Sequence, residues 1–188
     1  MTSSQMLIPQ FRIERRVREL ANTISKDWKE SNNTSKPPVM LCVLNGAFMF
    51  FSDLVKHMEI ECEIDFVRIK SYEGRDNTQG INMIKPPEAD LQDRSIYIIE
   101  DLVDSGQTMR ELIQYIAQYT QDIKLVTLLH RRGSIVVDKL PHIVKHYTAF
   151  IIGQEFVAGY GLDDNKLKRN YCNIYALPEK EDVYHSPI

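Results

Sequence analysis

From Ile13 onward apolar residues recur at Ile13, Val17, Leu20, Ala21, Ile24 and Trp28, with Arg and Glu filling the gaps. Steps of three and four residues place all six on one face of an amphipathic helix of about four turns. The polar run "SNNTSKPP" ends it. "VMLCVL" (39–44) is then a continuous apolar run, as expected of a strand buried on both faces. "NGAFMFFSDLVKHM" turns at Asn45-Gly46 and predicts a helix through Met58, whose apolar surface suits a core or a dimer interface. "EIDFVRIKSY" and "RSIYIIE" predict two more strands, and Met109, Leu112, Ile113, Ile116 and Ala117 mark one face of a helix beginning near Thr108. "IKLVTLLH", "YTAFIIG" and a short "NIYAL" complete the strands. Strands alternating with helices predict an α/β protein: an open, mostly parallel twisted sheet with helices on both faces.

One segment breaks the rhythm. Residues 73–93 are polar, carry Gly74, Gly80 and Pro86-Pro87, and show little apolar pattern. A loop that long in a compact domain suits a hairpin-like lid, with a plain surface excursion as its rival. The rest of the 188 residues shows no repeat or low-complexity tract, so a single domain over 1–188 is expected. Net charge is 23 − 26 = −3 with no basic block, which argues against nucleic acid or a membrane surface as partner. Cys42, Cys62 and Cys172 are far apart in sequence and form no metal-binding spacing, so buried reduced thiols are expected. With no signal-like segment and no run of 18 apolar residues, a cytoplasmic protein is expected.

The chemistry concentrates in "IIEDLVDSGQTM" (98–109). An apolar strand ends there in Glu100 and Asp101, and Asp104-Ser105-Gly106-Gln107-Thr108 leads into a helix. Ligands of open α/β sheets bind beyond the carboxyl ends of the strands. Amide N–H groups and hydroxyls at 105–108 suit a terminal phosphate at the helix start. Gly106 lets the backbone approach closely. Carboxylates accept from both vicinal hydroxyls of a ribose, so the two acids suit the sugar. Helix capping accounts for one acid but poorly for two consecutive acids after a buried strand. Neither GxGxxG nor GxxxxGK[ST] occurs.

This stretch resembles the phosphoribosyl-pyrophosphate signature of type I phosphoribosyltransferases. "VLNGAFMFFSDL", "DFVRIKSYEG" and "EFVAGYGLDDNKLKR" are similar, in the family's order, to its first pyrophosphate loop, its flexible Ser-Tyr loop and its purine-binding segment. From about residue 10 to 177 the chain resembles the branch that uses hypoxanthine and guanine.

The resemblance implies magnesium-dependent transfer of ribose 5-phosphate from phosphoribosyl pyrophosphate to a 6-oxopurine, with inversion at C1′ and release of pyrophosphate. The products would be IMP or GMP. It also implies a small hood built from the chain termini, and a homodimer or homotetramer. Leu44, Asn45 and Gly46 fall in the pyrophosphate loop, with a cis peptide between Leu44 and Asn45. Ser71 and Tyr72 fall in the closing loop. Glu100 and Asp101 would hold the ribose hydroxyls, directly or through magnesium-bound water, and Asp163 would approach a second magnesium. Asp104 would accept a proton near N7, while Ser105, Gly106, Gln107 and Thr108 wrap the 5′-phosphate. Phe156 would stack on the purine, the Val157 backbone would contact its edge, and Arg169 would contact pyrophosphate. Phe156 as plain core, Arg169 as a solvated charge and 163–165 as a simple turn are the bland rivals. The five histidines show no ligand spacing and are expected to be structural or exposed.

Two positions depart from the pattern. Asn45 stands where many members carry Lys, at a contact made mostly by backbone. Arg131 in "TLLHRRG" stands where a Lys meets the purine 6-oxo group, and Arg does not replace Lys freely. A non-catalytic sensor of phosphoribosyl pyrophosphate and a transferase for xanthine or a pyrimidine remain as alternative readings.

Overall fold

The computed structural model describes residues 4–31, 35–69, 83–134 and 137–178. Two sheets organise them. The larger has six strands in the order β4-β3-β2-β5-β6-β7, formed by β2 (Val39–Leu44), β3 (Glu63–Ile69), β4 (Met83–Lys85), β5 (Ile96–Leu102), β6 (Ile123–Arg131) and β7 (Ile143–Ile152). Every neighbouring pair is parallel except β3 with β4. The smaller sheet is antiparallel, β1 (Gln5–Ile8), β9 (Ile174–Ala176) and β8 (Val157–Ala158), and joins the N-terminal segment to the 157–176 region as a hood.

The strict alternation of β-strand side chains sorts the central strands onto two faces. Met40 and Cys42 of β2 pack with Ile13, Val17, Leu20 and Ile24 of α1 (Gln10–Lys29) and Phe50, Phe51 and Leu54 of α2 (Phe48–Lys56). Val39, Leu41 and Val43 pack on the other side with Met109, Leu112, Ile113 and Ile116 of α3 (Gln107–Ile116). Each fully buried side chain of this size contributes about 1.5–3 kcal/mol. The uninterrupted "VMLCVL" run is thus explained by cover on both faces.

The described part of the proposed lid segment is anchored. β4 returns antiparallel along β3, Leu91 is buried, and the Asp65 carboxylate accepts the N–H groups of Glu88 and Ala89 at 2.6 and 2.9 Å. Residues 83–93 are therefore part of the scaffold rather than a polar excursion, and residues 73–82 lie outside the described residues. Cys42 is buried, Cys62 partly so and Cys172 exposed, which corrects the expectation of three buried thiols.

Candidate functional site

β2 leads through α2 to β3 on one side of the sheet, whereas β5 leads through α3 to β6 on the other. Neighbouring strands whose connections depart in opposite directions leave a crevice at their carboxyl ends, where open α/β sheets bind ligands. The loop after β2 and the end of β5 meet there. The Leu44–Asn45 peptide is cis. A Cβ on Gly46 would lie 1.7 Å from Asp101 Oδ2, so only glycine lets this backbone rest against the carboxylate.

The acids belong to β5, which runs through Leu102, rather than following its end. Glu100 Oε1 accepts the N–H of Asp101 at 3.1 Å, and Asp101 Oδ1 accepts that of Leu102 at 2.8 Å. Burial and the adjacent Asp101 carboxylate push the Glu100 carboxyl well above its ordinary range. A pair held this way has a standing electrostatic preference for a cation or for hydroxyl donors.

The helix begins at Gln107, one residue earlier than its apolar pattern suggests, and Gly106 caps it with φ 74° in the left-handed region. The Ser105 hydroxyl accepts the N–H of Gln107 at 3.5 Å. The first amides of any helix have no i−4 carbonyl to bond, and they point along the positive end of its dipole. Residues 105–108 therefore place the positive end of the α3 dipole directly after the acids in the chain. Asp104 stands between them with its carboxylate 87% exposed, 3.9 Å from Nε of Arg131 at the end of β6.

The hood closes the other side. Phe156 is 70% exposed, too open for a core residue, and lines a cleft of about 950 Å³ with Glu155, Val157, Asp163 and Lys168. Arg169 is not a solvated charge: it donates to the Gly161 carbonyl at 2.6 Å and pairs with Asp163 at 2.7 Å. The second oxygen of Asp163 accepts the N–H of Lys166 at 2.8 Å. Gly161, at φ 98°, brings its Cα so close to the Gly46 carbonyl that a Cβ would lie 2.1 Å from the oxygen. Arg169, Gly161, Gly46 and Asp101 thus form a continuous chain of contacts from hood to sheet. Tyr160 adds a pin, donating to Asp53 of α2 at 2.8 Å, and burial pushes its hydroxyl's pKa up.

Sequence reasoning did not single out Glu155, Lys168 or Gly161. Only the Gly-x-Gly spacing at 159–161 was visible as a signal, since the contact partners are distant in sequence. Ser71 and Tyr72 lie outside the described residues.

Hard carboxylate oxygens on Glu100 and Asp101 are the donor type magnesium takes. Among the described residues no three metal-binding side chains converge on one point.

Acids at the end of a parallel strand, followed at once by a helix start, are an arrangement suited to a phosphorylated sugar. Comparison with known proteins agrees: residues 5–165 match the family model described as phosphoribosyl transferase domain. The hypoxanthine-guanine phosphoribosyltransferase of Streptococcus pneumoniae is 33% identical, over 96% of this chain and 95% of its own. The hypoxanthine-guanine-xanthine phosphoribosyltransferase of Tritrichomonas foetus is 30% identical, over 96% and 93%. Among solved structures, the hypoxanthine-guanine phosphoribosyltransferase of L. donovani superposes with TM-score 0.81 at 27% identity, covering 93% of this chain and all of that one. The chain belongs to the phosphoribosyltransferase family.

Proposed function

We propose that this protein is a purine-salvage enzyme, one domain over 1–188, that converts hypoxanthine or guanine and phosphoribosyl pyrophosphate to IMP or GMP and pyrophosphate. The observation that carries the reading is the convergence, at the carboxyl ends of β2 and β5, of the Gly46 backbone, the Glu100–Asp101 pair and the 105–108 turn. The names of the relatives supply the base.

In this reading N9 of the purine bonds to C1′ as the bond from C1′ to pyrophosphate breaks, inverting that carbon. Ser105, Gly106, Gln107 and Thr108 hold the 5′-phosphate and fix the sugar in place. Glu100 and Asp101 accept from the ribose hydroxyls, and their negative charge favours the positive charge that develops on the sugar. Asp104 takes the proton from N7, and its exposed carboxylate is open to an incoming base. Phe156 offers its face to the purine, with the Val157 backbone at the edge and Arg131 at the 6-oxo end. Leu44, Asn45 and Gly46 line the pyrophosphate side with Arg169. Ser71 and Tyr72 close over the donor and exclude water, which would otherwise hydrolyse it. Glu100 and Asp101 would hold magnesium, and Asp163 would lie near a second ion; bound there, magnesium would supply charge neutralisation for the departing pyrophosphate.

We place the enzyme in the cytoplasm as a homodimer or homotetramer, with no nucleic acid or membrane partner. No helix among the described residues is long and apolar enough to cross a membrane. The test is release of pyrophosphate from phosphoribosyl pyrophosphate and magnesium with hypoxanthine, guanine, xanthine, adenine or uracil. The reading expects release with hypoxanthine or guanine, matched by nucleotide formed. Release with neither overturns it.

A further inference from the structure

Arg131 is drawn away from a simple role at the base. Its Nη1 donates to two backbone carbonyls of the segment after β7, Gly153 O at 3.2 Å and Glu155 O at 3.1 Å. The same segment is tied back once more, the Gln154 amide donating to Arg132 O at 3.2 Å, and is braced within itself by Gly153 N–H donating to Glu155 Oε1 at 3.3 Å. Phe156 follows at once. Its ring is 70% exposed, so core packing does little to hold it, and its aim depends on the backbone that carries it. On the far side that backbone is fixed by Leu177 N–H donating to Phe156 O at 2.7 Å.

We propose that Arg131 is the positioning residue of the purine platform, clamping the 153–155 segment to the end of β6 so that Phe156 meets the base in register with Asp104. The proposal rests on the 6-oxopurine reading above. Its reach to Asp104 is the second half of the argument. Nε of the same guanidinium lies 3.9 Å from Asp104 Oδ1, so one rigid fork touches both the loop that stacks the base and the turn that takes its proton. A guanidinium spreads its donors over three nitrogens in a fixed plane, whereas lysine gathers its donors on one atom. Only the planar fork spans two carbonyls from one end and a carboxylate from its other edge. This gives the Lys-to-Arg departure at this position a physical reason. Reacting groups must be held within about half an ångström of their productive places, which an unclamped exposed ring does not ensure.

The test is a double-mutant cycle on Arg131→Met and Phe156→Ala, reading the KM for hypoxanthine, the KM for phosphoribosyl pyrophosphate and the melting temperature. Hydrogen bonds from a charged donor set the scale, so Arg131→Met should raise the hypoxanthine KM about tenfold. The donor KM should stay within about twofold, a split that general destabilisation would not produce. If Arg131 works through the platform, the cost of removing it should shrink at least about twofold when Phe156 is already absent, whatever contact it also makes with the base. A cost that shrinks less than about twofold means Arg131 acts on the base without the platform, and overturns the clamp. So does an unchanged hypoxanthine KM in the single variant. Should Arg131→Met fail to fold, Arg131→Gln keeps one amide donor and enters the same cycle. A wild type that releases no pyrophosphate with hypoxanthine or guanine fails earlier and separately, and takes the clamp with it.

Discussion

Gly46 and Asp101 touch across the crevice between β2 and β5, with room for a hydrogen and nothing larger: a Cβ would sit 1.7 Å from Oδ2 and 2.5 Å from the carboxyl carbon. Gly46→Ala forces one of the two to move. The carboxylate is the end of a side chain, held by the Leu102 N–H and the neighbouring Glu100 carboxyl, so it yields before the backbone does. Displacing one charge-assisted hydrogen bond to the sugar should raise the KM for phosphoribosyl pyrophosphate about tenfold or more. The melting temperature should fall by only about 2–4 °C, the equivalent of roughly 1 kcal/mol in a chain of this size. Steady-state kinetics and a thermal scan check both. An unchanged KM would mean Asp101 does not meet the donor from this position.

Asp104 is the one acid of the turn that stands in the open, with Arg131 as its neighbour at 3.9 Å. An exposed carboxylate beside the phosphate cradle suits a proton acceptor better than a structural cap. Loss of a positioned base typically costs ~10²- to 10⁴-fold. Asp104→Asn keeps the shape and should lower kcat by that range, with the KM for phosphoribosyl pyrophosphate little changed. A kcat within about threefold of wild type removes Asp104 from the role.

How far the sequence carried depends on whether a contact is local. The central strands and the three α-helices of the described residues were legible because burial on two faces leaves continuous apolar runs, and burial on one leaves 3.6-residue spacing. Glu100, Asp101 and the 105–108 turn were legible for the same reason, since strand end, turn and helix start are consecutive. β1 and β8 were not legible. Four and two residues long, they owe their pairing to β9, more than 160 residues from β1 and about 16 from β8. The Gly161–Gly46 and Arg131–Glu155 contacts were hidden too, because each joins segments distant in the chain. For Arg169 the resemblance implied a pyrophosphate contact with a solvated charge as its rival, and only its pairing with Asp163 removes the rival.

His146 offers a test of stability against pH away from the site. It is half-buried beside His130, their ring centres 5.6 Å apart, with Thr127 bonded to its Nε2 at 2.9 Å. Burial and His130 hold its pKa down to about 4 from 6.5, against a smaller upward pull from Asp138. The unfolded chain therefore binds a proton that the folded one refuses, so stability is whole above pH 6.5 and falls as pH drops towards 4. The loss should reach about 2.5 kcal/mol at pH 4.5, at 1.36 kcal/mol per unit. His146→Gln keeps a polar partner for Thr127 and cannot titrate. Denaturant melts at pH 7 and 4.5 should show a smaller acid loss in the variant by about that amount. Equal acid losses in the two proteins would remove His146 as the cause.

The last expectation is that 6-oxopurines are accepted and adenine is rejected. Every nitrogen of the Arg131 guanidinium is a donor, and none can accept. Two of its N–H groups already serve the carbonyls of Gly153 and Glu155, the segment that leads into Phe156, and its remaining donors form a cationic edge beside that segment. A 6-oxo group brings an acceptor to that edge. Adenine brings a 6-amino group, setting donor against donor where the stacked base has displaced water. Sites built around a polar match of this kind reject the mismatched analogue by roughly 10⁴-fold or more, whereas shape alone discriminates far less. Arg131→Lys should keep the rejection, because an ammonium is also donor-only, even where it binds every base more weakly. The measurement is kcat/KM for hypoxanthine, guanine, xanthine and adenine with wild type and with Arg131→Lys. Adenine used within tenfold of hypoxanthine by the wild type would end the claim of 6-oxo selectivity, and adenine gained only in the Lys variant would show that the planar guanidinium itself, rather than its charge, enforces it.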